Sequence, residues 1–410
     1  MNWLTTPAHH RWLEAEADRL LEFGAASRHP DGGFGWIADD GVLDVNHDVE
    51  LWITCRMTHC FALAAMMGRP GAAALADHGI DALTGRLKDE DNGGWFAAVG
   101  PGGPTKTAKE AYGHAFVILA AASAAAAGRP GASELLDDAL ATHAEHFWDD
   151  EAGMSRESYS ADWSGEEDYR GINANMHTVE AYLAAADVTG DRAWLHRALR
   201  ITERAIHTFA ANNEWRIPEH FTPEWEPLLD YNKEAPAHPF RPYGATIGHA
   251  FEWSRLMLQA GAALELTGVA APEWIVPDAR ALYDTAVAEG WDVDGAPGFV
   301  YTIDWEGRPV VRERMHWVSA EAIGAAAVLW ERTKVQHYAD QYALWWDYVA
   351  ENHIDHDFGS WIHELGSDNR VSRTVWEGKA DIYHALQATL IPRLPLSPAL
   401  AAALASGKLR

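Results

Sequence analysis

Three histidines, His177, His249 and His384, are the residues in this sequence best suited to chemistry. Imidazole is the side chain whose ordinary pKa lies nearest neutrality, so it can take and return protons at carbon or oxygen. In Gly171-Ile172-Asn173-Ala174-Asn175-Met176-His177, the residues Asn173 and His177 are four apart and share one helical face. An amide and an imidazole placed so could hold adjacent hydroxyls, although an Asn cap ahead of a packed helix fits the same letters. In Gly248-His249-Ala250-Phe251-Glu252-Trp253 the carboxylate lies three residues beyond the imidazole. It could accept a hydrogen bond from His249, fix its tautomer and raise its basicity; a plain helix-surface pair is the alternative. Gly378-Lys379-Ala380-Asp381-Ile382-Tyr383-His384 supplies the third imidazole, within a segment that also reads as an ordinary C-terminal helix with solvated charges. One histidine among 21 is usually a hydrogen-bonded core or surface residue; only convergence of the three would make a site.

Convergence requires elements that bring distant segments together, and an internal repeat provides them. Gly68-Arg69-Pro70-Gly71-Ala72 recurs letter for letter as Gly128-Arg129-Pro130-Gly131-Ala132, a period of 60. A glycine-plus-aromatic segment recurs at Trp36, Trp95, Trp215, Phe299 and Trp361, with Met154 in the remaining slot; successive spacings are 59, 59, 61, 84 and 62. Between markers the pattern turns helical, with two alanine-rich stretches per unit, such as 49–67 and 70–87 or 171–188 and 191–210. Gly-Arg-Pro-Gly separates two of these pairs, Gly suiting a helix C-cap and Pro a first turn. Helices near 8–25 and 375–391 are left at the ends. If they pair, six helix pairs close into a ring: an all-α (α/α)6 barrel, one catalytic domain over residues 1–410, with short β-hairpin-like connections. An open solenoid would need polar capping repeats, which neither end resembles.

In such a ring the first helix of each unit lines the axis. Read in order, these helices bring Arg56; Tyr112 and His114; Asn173, Asn175 and His177; His249 and Glu252; Trp317 and Glu321; and Lys379, Asp381 and His384. The longer fourth unit holds a Pro-rich loop, 223–242, with Asp230, Tyr231 and Lys233. Long loops in compact domains are commonly functional, so it is a candidate rim over the pocket.

Composition narrows the partners. With 48% hydrophobic and 22% charged residues, the chain of 410 residues can bury a large core. Sixty Asp and Glu against 32 Lys and Arg give a net charge of −28, which argues against nucleic acid and anionic membranes as partners. Two cysteines, Cys55 and Cys60, exclude a disulfide framework, no apolar run is long enough to span a membrane, and no leader pattern opens the chain; a cytoplasmic setting is expected. Twenty tryptophans serve mostly for packing, with a minority available to stack on sugar rings. No His-x-His or His-Glu-x-x-His cluster occurs, and candidate ligands come singly from separate helices, so no metal is expected.

The chain resembles the N-acylglucosamine 2-epimerase family, in its aldose–ketose isomerase branch, essentially end to end. The resemblance is carried by Leu51-Trp52-Ile53-Thr54 with Arg56-Met57, by Asn173-Ala174-Asn175-Met176-His177, and by Asp230-Tyr231-Asn232-Lys233. Val300-Tyr301-Thr302 with Asp304-Trp305-Glu306-Gly307, and Asp381-Ile382-Tyr383-His384, complete it. It implies an (α/α)6 barrel, catalysis without metal or cofactor, and a catalytic set of His177, His249, Glu252 and His384. Arg56, His114, Asn173, Arg241, Trp317 and Asp381 are then expected to contact the sugar. The reaction implied is aldose–ketose interconversion, mannose with fructose first, through a cis-enediolate; His177 would assist ring opening while His384 and His249 trade the proton between C2 and C1. A sulfoquinovose isomerase is the alternative, though His363 and Ala380 stand where that enzyme has glutamines. A sugar 2-epimerase, a glycoside hydrolase using two of Glu252, Glu321 and Asp381, and a non-enzymatic binding protein are the remaining readings. Oligomeric state is left open between monomer and homo-oligomer.

Overall fold

A computed structural model describes residues 2–410. Its helices alternate between an inner and an outer ring. The inner ring comprises α2 (Leu51–Met66), α4 (Ala111–Ala126), α6 (Ile172–Thr189), α8 (Ile247–Leu266), α10 (His316–Thr333) and α12 (Tyr383–Leu390). The outer ring comprises α1 (Pro7–Ala25), α3 (Ala72–Thr84), α5 (Ala132–Thr142), α7 (Arg192–Thr202), α9 (Ile275–Gly290) and α11 (Gln336–Asn352). Each inner helix packs on the next, and α12 closes the ring by packing on α2; α1 lies against α12, as the pairing of chain ends requires. Inner helices are apolar on nearly every side because both the axis and the outer ring cover them. Outer helices bury a single stripe, for example Leu195, Ala198, Ile201 and Thr202 of α7.

The repeated Gly-Arg-Pro-Gly motif has a structural cause. Gly71 and Gly131 sit at φ +83° and +73°, left-handed positions that glycine adopts without steric cost, immediately before α3 and α5. The arginine of each motif ties the hairpin tip to the preceding outer helix: Arg69 to Glu14 and Asp18, Arg129 to Asp77.

Two-residue strands stitch the units together. The dipeptide that precedes each of the five inner helices α2 to α10 pairs antiparallel with the hairpin of the following unit: 49–50 with 98–99, 109–110 with 158–159, 170–171 with 220–221, 245–246 with 302–303, and 314–315 with 364–365. All these ladders lie at the N-terminal ends of the inner helices. They form a rigid collar at one mouth of the barrel. The other end is covered by a short C-terminal helix, α13 (Leu400–Ala405), lying across α2, α4 and α6.

The last inner helix is shorter than the expected 375–391. Residues up to Ile382 run as an irregular segment pinned by carboxylates: Glu364 accepts the backbone N–H groups of Thr374, Val375 and Trp376, Asp39 that of Gly378, and Asp381 that of Tyr383. These acceptors outcompete helical bonding and deliver Val375, Trp376 and Asp381 to the mouth. No helix among the described residues is long and apolar enough to cross a membrane.

Candidate active site

The register of the inner helices decides what reaches the axis. The second and sixth residues of successive helices are Trp52 and Arg56, Tyr112 and Phe116, Asn173 and His177, Gly248 and Glu252, Trp317 and Glu321, with His384 second in α12. Being four apart, they fall on one face. Trp52, Arg56, Tyr112, Asn173, His177, Glu252, Trp317 and His384 all line a pocket at the collar end, while Phe116 and Glu321 do not reach its lining. His249 is third in its helix, and a gap makes room for it. Gly248 has no side chain, and the Trp317 indole fills the space where a Cβ would stand, 2.2 Å from Cζ3. The indole therefore sits between two imidazoles, its ring 5.4 Å from that of His249 and 5.6 Å from that of His384.

Behind three of the pocket histidines stands a carboxylate. His384 Nδ1 is 2.8 Å from Glu321, His249 Nδ1 is 3.0 Å from Glu219, and His177 Nδ1 is 3.6 Å from Glu180. The first two distances are hydrogen bonds that put the proton on Nδ1 and leave Nε2 bare as a base. The expected His249–Glu252 bond is absent. Glu219, held at the collar where its carbonyl accepts from the Ile172 N–H, takes that place, while Glu252 lies one layer lower, 3.4 Å from Arg255 and 3.9 Å from His177 Nδ1. Three residues along one helix share a side, but the imidazole of His249 reaches outward to a different segment.

Burial shapes the protonation states. It takes His177 down to about 4 although Glu180 pulls the other way, and lowers His384 against the pull of Glu321, so both are neutral at pH 7. Burial, with Glu321 beside it, pushes the Glu252 carboxyl well above the usual carboxylate range. Burial alone would raise Glu321 too, but Arg255 and then His384 hold it below its ordinary value. Asp381, which burial would likewise raise, is held low first by Arg56 and then by His363 and His384. Arg56 donates to Asp381 and to the Tyr112 hydroxyl, each at 3.0 Å, and its guanidinium lies over Trp52, Phe116 and Tyr383. Its Nε–H has no partner among the described residues and remains as a spare donor.

Two of the expected sugar contacts are elsewhere. His114 does not line the pocket: its Nδ1 faces the Glu110 carbonyl and its Nε2 accepts the Trp95 N–H. The repeat explains this. The fourth residue of each of the first three inner helices, Thr54, His114 and Asn175, accepts a backbone N–H from the hairpin about twenty residues earlier, at Phe34, Trp95 and Ser155. His114 is thus a structural pin whose polarity looks functional in sequence. Arg241 also lies outside the lining; it forms a two-pronged pair with Glu167 at 2.7 and 3.1 Å and stacks on Tyr169 at 4.0 Å. That clamp fixes the 223–242 loop, whose Pro239 and Phe240 cover the pocket wall, so the rim expected of this loop is present but Arg241 serves it from behind.

Sequence reasoning missed Glu180, Glu219 and Arg255, and gave no role to the stacked pair His316 and His363, 3.8 Å apart on the pocket wall. Glu180 and Arg255 carried a usable signal, each three residues beyond a candidate on the same helix. Glu219 carried none, because only strand pairing brings it to His249.

Potential metal ligands do cluster: His177, Glu180 and Glu252, and again Glu252, Glu321 and His384, lie with their ligand atoms within 4.8 Å of one another. Arg255 already stands among these carboxylates, 3.0 Å from Glu321 and 3.4 Å from Glu252, supplying positive charge where an ion would.

A closed ring of helix pairs with neutral imidazoles and a guanidinium at one mouth of its axis makes a pocket equipped for acid–base chemistry. Residues 32–388 match the family described as N-acylglucosamine 2-epimerase (GlcNAc 2-epimerase). The chain is 53% identical to a D-mannose isomerase of Thermobifida fusca over 98% of its length and 99% of the relative's. It is 54% identical to a D-mannose isomerase of Pseudomonas cannabina pv. alisalensis, covering 98% and 97% of the two chains. A crystal structure of a D-mannose isomerase superposes with a TM-score of 0.86 at 31% identity, over 94% of this chain and 98% of that one. The chain belongs to the N-acylglucosamine 2-epimerase family.

Proposed function

We propose that this chain interconverts D-mannose and D-fructose through a cis-enediolate, with His384 and His249 as the proton-transfer pair. The observation that carries this reading is the flanking of one indole by two imidazoles, each with a carboxylate on Nδ1 and a bare Nε2. The named relatives support mannose as the substrate. After His177 assists ring opening by moving the O1 proton to O5, one imidazole takes the proton from C2 while the carbonyl oxygen gains negative charge. The imidazolium so formed returns that proton from Nε2 to C1, while the hydroxyl proton moves from O2 to O1. Positioned acid–base groups contribute about 10²–10⁴-fold, and donors aimed at the enediolate oxygens supply much of the rest. Arg56 is the charged donor, and the N-terminal ends of the inner helices add their positive dipole ends at the same mouth. Asn173, Trp317 and Asp381 complete the sugar contacts.

A glycosidase would need two carboxylates flanking an open cleft. Glu252 and Glu321 instead lie around Arg255, 1% and 2% exposed, and Asp381 is spent on Arg56. The free buried thiols of Cys55 and Cys60 support a reducing, cytoplasmic setting.

Incubation with free mannose or fructose in deuterated water, with and without a chelator, tests the proposal. Interconversion with deuterium entering C1 or C2 is expected, unchanged by the chelator. Failure to convert either sugar, or release of new reducing ends from an oligosaccharide, would overturn it.

A further inference from the structure

Four carboxylates, Glu180, Glu219, Glu252 and Glu321, stand behind or beside the three pocket histidines His177, His249 and His384. Glu180, Glu219 and Glu321 each neighbour one imidazole; Glu252 has none at bonding distance, and its Oε2 has no partner among the described residues. Three of the four, Glu180, Glu252 and Glu321, also face a single guanidinium, that of Arg255, which is 1% exposed. Arg255 does not share itself equally. Its Nε and Nη2 both lie 3.0 Å from Glu321 Oε2, Nη1 donates to Gln259 Oε1 at 3.0 Å, and Glu252 receives only a 3.4 Å contact. The other groups facing Glu252 are Arg56 of α2, Tyr112 of α4, His177 and Glu180 of α6, Glu321 of α10 and Tyr383 of α12; the charge of Arg56 is already matched by Asp381. Glu180 also accepts from the Tyr383 hydroxyl and from Gln387, Glu321 takes the two closest carboxylate contacts of the one unmatched cation, and Glu252, buried without a counter-charge of its own, keeps its proton.

We propose that Arg255 is a positioning residue that decides which carboxylate of the pocket floor is ionised: it holds Glu321 as the anion behind His384 and leaves Glu252 as a neutral acid facing the sugar. An ionised Glu321 can only accept, so His384 keeps its proton on Nδ1 and its Nε2 free; a protonated Glu321 would donate to Nδ1 and invert the tautomer. A neutral Glu252 can give its proton to the sugar oxygen that becomes negative as C2–H breaks. It takes a proton back from the neighbouring hydroxyl as the enediol collapses and the imidazolium returns its proton to carbon, so no net proton is gained or lost. The raised proton affinity of Glu252 and the lowered one of Glu321 agree with this division.

The inference rests on the isomerase reading for the identity of the sugar only, since the charge division belongs to the resting enzyme. The pH profile of kcat for Arg255→Gln and Arg255→Lys tests it. Arg255→Gln should move the acidic limb upward by about one pH unit or more, a tenfold or greater change in proton affinity, with KM within about threefold. Arg255→Lys should restore the limb. A folded Arg255→Gln enzyme whose limb stays in place, whatever its kcat, would overturn the proposal. Should Arg255→Gln fail to fold, infrared difference spectra of the sugar-free wild type against Glu252→Gln at neutral pH decide the matter. The C=O stretch of an un-ionised acid must disappear with Glu252; its absence from the wild type overturns the proposal while leaving the isomerase reading intact. Failure to convert mannose with the band present would overturn only the latter.

Discussion

Replacing Glu219 by glutamine should disable the enzyme almost as thoroughly as removing His249, although Glu219 is not part of the pocket wall. The two groups are buried, and Nδ1 lies 3.0 Å from the carboxylate. A hydrogen bond to a charged group is worth about 1.5–3 kcal/mol, and the carboxylate can only accept, which fixes the proton on Nδ1. Glutamine presents an N–H at the same place, so the amide can donate to Nδ1 and drive the imidazole proton to Nε2, where the base is needed. A wrong tautomer held in place costs up to about 10⁴-fold in kcat, and partial inversion about 10²-fold or more, some 3–5 kcal/mol of transition-state stabilisation. KM should change by no more than about threefold, because the sugar does not reach Glu219. Steady-state kinetics on mannose, together with the ring N–H signal of His249 in the ¹⁵N-edited NMR spectrum, read both halves of the argument. A folded Glu219→Gln enzyme with kcat within about threefold of wild type would refute the orienting role.

Other perturbations follow from the same geometry. Gly248→Ala places a Cβ 2.2 Å from Trp317 Cζ3, and overpacking of this kind costs about 1–3 kcal/mol; a lower melting temperature and a reduced kcat are expected, since the displaced indole separates the two bases. Arg241→Gln should raise KM more than it lowers kcat, because it frees the loop carrying Pro239 and Phe240 while leaving the histidines in place; an unchanged KM would deny the clamp its role. Acid should unfold the protein before pH 4. His59, His114, His143, His177, His353 and His363 are buried with values lowered to about 3 or 4, so between pH 6.5 and 4 the unfolded chain binds protons that the native state does not. Stability is then lost as pH falls, by up to about 1.4 kcal/mol per pH unit for each histidine and so by at most about 8 kcal/mol per pH unit for the six together. A denaturation curve flat from pH 7 to 4.5 would contradict this.

The ring itself was legible in the sequence because its cause is local and repeated: Gly-Arg-Pro-Gly turns, glycine-aromatic hairpins and all-round apolar helices recur at a fixed spacing. The three histidines were legible for the same reason, since placing six helices about an axis places their first turns at one mouth. What escaped depends on contacts that no spacing records. Glu219 meets His249 only through the pairing of 170–171 with 220–221. His114 looked like a ligand because a polar residue on an inner helix is conspicuous. Its equivalence to Thr54 and Asn175 shows only when the hydrogen bonds of three units are compared. The final helix was overextended because Glu364 and Asp39, far apart in sequence, capture the backbone of 374–378.

The repeat also accounts for how one helical position came to carry such different chemistry. The second and sixth residues of the inner helices α2 to α10 share one face, but the collar fixes the backbone through strand pairing, and in the first three of them also through the fourth residue, independently of what the axial residues are. Axial side chains were therefore free to diverge: Trp52 and Arg56 in one unit, Asn173 and His177 in another, Gly248 and Glu252 in a third. The layer beneath was not free to the same degree. His384 and His249 each have a carboxylate behind them to set the tautomer, each added carboxylate raises the cost of burial, and Arg255 among Glu180, Glu252 and Glu321 offsets part of that cost. The pocket's chemistry is set as much by that second tier as by the three histidines in front of it.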